Sequence, residues 1–173
     1  MDSLINDLRK YSKLNDENSF TVINGVNIPT DAAAFFEKYN DGINEYIWFI
    51  SPYDDNWDEM IEEQRETYES VKDSFEQDAL SSGYVPNENE GYPFAFYPDE
   101  SGLIPWAYCD NGTVFYWKPE NNKMNIIVYG DGFQYFKFDL STTDFIYKLV
   151  TKSLSEMSDF LPDDLFDDEV ICE

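Results

Sequence analysis

Apolar positions near the amino end fall at Leu4, Ile5, Leu8, Tyr11 and Leu14. Spacings of three and four place them on one side of a helix, so a short amphipathic helix is predicted over residues 3–14, ending near Asn15-Asp16. Thr21-Val22-Ile23 and Val26-Asn27-Ile28 flank Asn24-Gly25. That pair suits a type I′ hairpin turn, whose two central residues both take positive φ. After Pro29, Thr30 is placed to cap a second helix with Ala33, Phe36 and Tyr39 facing inward, closing at Asn40-Asp41-Gly42. Residues 46–50 read as a buried strand.

Residues 57–80 carry Trp57, Ile61, Tyr68, Val71 and Phe75 near heptad spacing, with Glu and Asp on the faces between. A long helix with a negative outer face is predicted. Gly83, Pro86 and Asn87-Glu88-Asn89-Glu90-Gly91 mark a loop, and residues 92–97 read as a strand interrupted by Pro93. Four β-prone runs follow at 103–109, 113–118, 124–129 and 133–138. They are separated by Asp110-Asn111-Gly112, by Pro119-Glu120-Asn121-Asn122-Lys123 and by Gly130-Asp131-Gly132. Short turns of this chemistry imply an antiparallel meander, with Pro105 tolerated at an edge or a bulge. Ser141 caps a last helix, with Asp144 completing an S-x-x-D box and Phe145, Ile146, Leu149, Val150 and Leu154 as its apolar face. Beyond Pro162 the chain is acidic and is expected to fray. The predicted class is α+β: one domain, an antiparallel β-meander flanked by helices.

Composition changes this picture in two ways. The 173 residues hold 11 Lys and Arg against 36 Asp and Glu, a formal charge of −25. A broad basic face for nucleic acid phosphates is thereby excluded. Disorder is not the consequence, because aromatic residues make up 18% of the chain and supply a core. The charge is also concentrated. Residues 54–90 carry thirteen acids against Arg65 and Lys72, and residues 156–173 carry eight acids and no base. We read an acidic tail at 156–173 appended to a domain at 1–155.

Histidine is absent altogether. That removes Ser-His-Asp and Cys-His nucleophile activation and the H-E-x-x-H zinc helix. Cys109 and Cys172 stand far apart in sequence, so neither a CxxC pair nor a disulfide scaffold is present, and reduced thiols are expected. The glycines fit no phosphate-binding loop. Asp54-Asp55-Asn56-Trp57-Asp58 fails as a calcium loop, having Glu59 where the turn needs Gly and Arg65 where the bidentate Glu belongs. With so many acids, close carboxylate pairs arise by chance. No catalytic residue, metal ligand or cofactor is expected, and neither a signal segment nor a spanning helix is read. The protein is expected in the cytoplasm.

The order of pieces carries a resemblance. Ile28-Pro29-Thr30-Asp31 opens the second helix, which ends in Tyr39-Asn40-Asp41-Gly42. Gly102-Leu103-Ile104-Pro105-Trp106-Ala107 and Asp110-Asn111-Gly112 then lie within the meander, ahead of a closing helix. This resembles the SUKH superfamily, the group of Smi/Knr-type fungal cell-wall regulators and many bacterial toxin-immunity proteins. Asp41-Gly42 departs from the family's more usual Asn-Gly-Gly, and the acidic helix at 57–80 and the tail have no family counterpart. The resemblance implies an α+β domain over residues 1–155 that binds a protein and has no catalytic residues.

Clustered like charge opposes folding, so its retention over 54–90 needs another reason. Solubility is one; a basic partner is the other. The expected function is that of a non-catalytic immunity-type protein that neutralises a cognate protein toxin, with a nuclease whose cleft is basic as the fitting class. The expected contacts are Asp54, Asp55, Trp57, Asp58, Glu62, Glu66, Glu88 and Glu90: carboxylates around one aromatic anchor. A monomer or weak dimer is expected, with no direct nucleic acid and no membrane partner. Two alternatives stay open: a regulatory or scaffold protein-binding domain of the same fold, and an acidic mimic of nucleic acid.

Overall fold

The structure is a computed structural model and describes residues 2–14, 19–130, 133–167 and 170–173. Helix α1 (Asp2–Tyr11) runs into a single 3₁₀ turn at Ser12–Leu14, and its predicted end at Asn15-Asp16 lies outside the described residues. Strands β1 (Phe20–Ile23) and β2 (Val26–Pro29) form the predicted hairpin, with Asn24 and Gly25 at φ 51° and 79°. Helix α2 (Thr30–Phe36) follows directly. Thr30 does not cap it: Pro29 takes the N-cap position, and the Thr30 hydroxyl accepts from the hydroxyls of Ser19 and Thr21 at 2.8 and 3.4 Å. Being already inside the first turn, Thr30 has a side chain free to tie the helix back to β1. Tyr39 and Lys38, just past α2, both donate to the Asp7 carboxylate of α1.

The sheet is a six-stranded antiparallel meander in strict chain order. Its strands are β3 (Gly42–Ile43), β4 (Ile47–Phe49), β5 (Ile104–Cys109), β6 (Val114–Glu120), β7 (Lys123–Tyr129) and β8 (Tyr135–Phe138). The four predicted runs are the last four strands, and β3 and β4 extend them on one side. The loop read at 119–123 shrinks to Asn121-Asn122, both at positive φ, because Glu120 and Lys123 already pair. Pro105 sits where the β5–β6 register slips by one residue, a bulge beyond the last residues paired with β4, so its missing N–H breaks no ladder. Gly112, at φ 85°, closes the β5–β6 turn, while Asp131 and Gly132 of the β7–β8 turn lie outside the described residues. Residues 92–97 do not form the strand read there; Phe96 alone makes a bridge, to Leu103.

Both faces of the sheet carry helices. On one, Trp106, Phe115 and Trp117 pack under α2 and under α4 (Thr142–Val150), with the Phe36 ring 6.0 Å from Trp117 and the Phe145 ring 5.8 Å from Phe115. Ser141 caps α4 as predicted, its hydroxyl accepting from the Asp144 N–H at 3.1 Å. On the other face lie α3 (Trp57–Ser82) and the segment 84–103, with Tyr68 of α3 centred on Tyr92, Phe96, Tyr116 and Tyr129. The result is one α+β domain of three layers.

The expectation of a frayed acidic tail is corrected. Met157, Phe160, Phe166 and Val170 are buried, spaced so that the acids between them, such as Asp163 and Asp167, point outward. The final residues lie beside β3: the Asp41 and Gly42 N–H groups donate to the Glu173 carbonyl, and the Asn44 N–H to that of Ile171. Four apolar side chains and an otherwise open sheet edge outweigh the repulsion among the acids. No helix among the described residues is long and apolar enough to cross a membrane.

Candidate protein-binding surface

Helix α3 runs for 26 residues, about 39 Å. Trp57, Ile61 and Tyr68 bury one side of it, and Gly83 ends it in the left-handed conformation, at φ 71°. Val71, expected inside, is 42% exposed and lines a groove between the helix and the sheet. Asp58, Glu62 and Glu66 stand at four-residue steps and are exposed, and the stripe continues through Glu69, Asp73 and Glu76. Arg65 bridges Glu62 and Glu69, and its guanidinium holds the Glu62 carboxyl below the usual range. Among the described residues, Asp58, Glu66, Asp73 and Glu76 have no ion-pair partner.

The eight predicted contacts do not form one site. Asp55, Asp58, Glu62 and Glu66 belong to the exposed acidic surface at the start of α3. Asp54 is turned partly inward, and burial pushes its carboxyl up. Trp57 is 1% exposed and is core, which removes it as an anchor; its indole N–H has no acceptor among the described residues, so packing alone holds the ring. Glu88 and Glu90 lie beyond the opposite end of the helix. Glu88 is exposed, whereas Glu90 is occupied: it accepts from the Tyr84 hydroxyl, from the Asn87 N–H at 2.9 Å and from the Asn87 amide at 3.0 Å. The Tyr84 bond, first among these, keeps its carboxyl below the usual range. Its role is to close the loop, tying Tyr84 and Asn87 to one carboxylate.

Sequence reading missed a groove of about 420 Å³ on the other flank of α3. Its helical wall is neutral for most of its length (Gln64, Thr67, Val71, Ser74) and ends at Asp78, and its floor is Val114, Tyr116 and Tyr129. Phe75, Tyr84 and Phe133 gather at one end, with the rings of Phe75 and Phe133 5.0 Å apart and those of Tyr84 and Phe133 6.0 Å apart. The floor is rigid. Tyr68 donates to the Phe94 carbonyl at 3.1 Å and Tyr129 to that of Gly91 at 3.0 Å, and burial pushes the Tyr68 phenol up to about 12 and that of Tyr129 further. These hydroxyls remain donors at any physiological pH. The readable signal was the charge pattern of α3: its acids crowd one flank and spare the other.

Burial likewise raises the thiols of Cys109 and Cys172, both free. Among the described residues no group of three or more His, Cys, Asp or Glu could hold a metal ion. No protein-family model, curated protein or solved structure matches the chain.

Proposed function

We propose that this is a non-catalytic, immunity-type protein that binds a cognate protein toxin through a basic surface of that toxin, a nuclease cleft being the fitting class. One observation carries the reading: the acidic stripe of α3, from Asp58 to Glu76, is held outward by an aromatic core and left largely without cations of its own. Like charges four residues apart on a helix each cost about 0.2–0.5 kcal/mol. A stripe that weakens its own helix is explained by a partner that neutralises it. The binding needs no chemistry from this chain; carboxylates stand where phosphates would lie in the cleft.

The experiment is co-expression with the product of the gene immediately upstream. Arrest of growth by that product alone, relief by this chain, and a stoichiometric complex of the two purified proteins are expected. An upstream product that is harmless, or whose toxicity this chain leaves unchanged with no complex formed, overturns the reading.

A further inference from the structure

The strand register sets Gly42, Trp48, Tyr108, Val114, Tyr129 and Tyr135 opposite one another in a single row across the sheet, on the face that carries α3. Directly paired residues share a face, so this row is a continuous ladder. At the β7 end it is covered: Tyr129 is 4% exposed, beneath Tyr68 and Tyr92. Trp48, Tyr108 and Val114 are only half-buried. The uncovered part joins two hollows. One is the neutral groove beside α3, which includes Val114; the other, about 400 Å³ at the sheet edge, is lined by Trp48 with Asp41, Glu45 and Glu173. The Trp48 indole N–H donates to the Asp110 carboxylate at 2.7 Å, which fixes the ring and adds a further negative charge beside it. Neither hollow is lined by a Lys or Arg.

We propose that this ladder seats an amphipathic helix of the partner protein, with its apolar stripe on Trp48, Tyr108 and Val114 and with Lys or Arg at its ends. Spacing selects the helix. Strands stand about 4.8 Å apart, close to the 5.4 Å pitch of an α-helix, so side chains at i, i+3 or i+4, and i+7 meet successive rungs. An extended peptide repeats its same-face side chains about every 6.6 Å and loses step after two rungs. From Gly42 to Val114 is three strand spacings, about 14 Å, the length of some 10 helical residues. Charge selects its ends: Asp41, Glu45, Asp110 and Glu173 at one, Asp78 at the other, with the Trp48 face available to a cation. The inference rests on the protein-binding reading above but not on the partner being a toxin.

The test uses the full chain and a fluorescein-labelled 18-residue Leu/Lys peptide with leucine at three- and four-residue spacing, followed by anisotropy in 0.15 M salt. Val71→Asp, on the groove wall, and Trp48→Ala, on the ladder, should each weaken binding ~10-fold or more, the loss of one buried anchor. The amide variant Glu66→Gln/Asp73→Asn/Glu76→Gln, on the opposite flank of α3, should weaken it less than ~3-fold. Thermal melts identify a variant that fails to fold, and the other then decides. Absence of binding, or unchanged binding in both ladder variants, overturns the proposal. So does an equal loss in the amide variant, which would mean adhesion to the acidic coat. A Leu/Glu peptide that binds as well, an extended Val/Lys peptide that binds better, or a dimer of this chain dissolved by Val71→Asp would each name a different occupant and overturn it too. If the parent and both ladder variants neutralise a toxin equally, the immunity reading stands and the helix seat falls.

Discussion

The Asp31 carboxylate, at 0% exposure in the first turn of α2, accepts both the backbone N–H and the hydroxyl of Thr143, 112 positions later, at 2.8 Å each. Thr143 lies in the first turn of α4, so one buried negative charge serves the amino ends of two helices, where the peptide dipoles favour it. Hydrogen bonds to charged groups are worth about 1.5–3 kcal/mol, and a buried donor left unpaired adds its own cost. Asp31→Ala should therefore destabilise by about 3 kcal/mol in urea unfolding at pH 7, and Thr143→Val by about 1–2 kcal/mol. The double variant should cost clearly less than the two together. Strict additivity would mean the pair does not join the two helices.

A second joint holds the C-terminal segment. A Cβ on Gly130 would lie 1.7 Å from the Phe160 ring, and the Phe160 carbonyl accepts from the Asn111 amide at 2.6 Å and the Thr113 hydroxyl at 3.3 Å. Gly130, at the end of β7, is thus a notch for one ring, and only glycine leaves room for it. Gly130→Ala should release residues 151–173 to limited proteolysis while the sheet survives, seen as a trimmed, folded core by mass spectrometry. Phe160→Ala should do the same at a cost of about 3 kcal/mol. If both variants resist protease like the parent, the segment is held by its pairing with β3 instead.

The first hairpin, the β5–β6 turn of the meander and the start of α4 were legible because Asn24-Gly25, Asp110-Asn111-Gly112 and the Ser141 cap are local chemistry: each turn or cap needs only its own residues. What failed depended on distant neighbours. Trp57 and Val71 share one helical stripe, yet one is core and the other exposed, because a groove opens between Val71 and the strands. Acid content hid the docking of the tail, since the seat of Phe160 is built by residues of other elements, Gly130 and Phe136, and no local pattern points to it. The row Trp48–Tyr108–Val114 joins three strands, two of them more than fifty residues apart, and no periodicity within one strand reveals it. Of the expected contacts, the exposed stripe Asp58, Glu62 and Glu66 could be read from helical spacing alone, whereas the inward turn of Asp54 and the capture of Glu90 by Tyr84 could not.

Asp54 gives a pH test. Burial raises its carboxyl above the ordinary value of 3.8, with the Asn40 side chain pulling the other way. The folded protein therefore binds this proton more tightly than the unfolded chain does. The cost of ionising it is absent below the unfolded value and grows as pH rises through the folded one. Asp54→Asn should raise the unfolding free energy measured in urea at pH 7, by no more than ~0.5 kcal/mol, and leave it unchanged at pH 3. A loss of stability at pH 7 would show that the bonds to the carboxylate outweigh its burial.

Association with a basic partner separates the roles of charge and core. If the α3 stripe steers the encounter, association should approach ~10⁸ M⁻¹s⁻¹ at low salt and slow steeply as the Debye length shrinks to ~8 Å, while dissociation changes little. Neutralising Asp58, Glu62, Glu66, Asp73 and Glu76 to amides should lower the on-rate about tenfold, because these carboxylates are exposed and mostly unpaired. The same variant should melt no lower than the parent, since repulsion along one helix has been removed. Trp57→Ala should behave differently: a fully buried ring is lost, about 3–5 kcal/mol of stability goes with it, and binding fails through unfolding. Stopped-flow mixing at several salt concentrations, with a control neutralised at Asp159, Asp163 and Asp164, distinguishes the two. An amide variant that associates like the parent, or a control that slows as much, would place the steering charge elsewhere on the surface and leave the α3 stripe without a role in recognition.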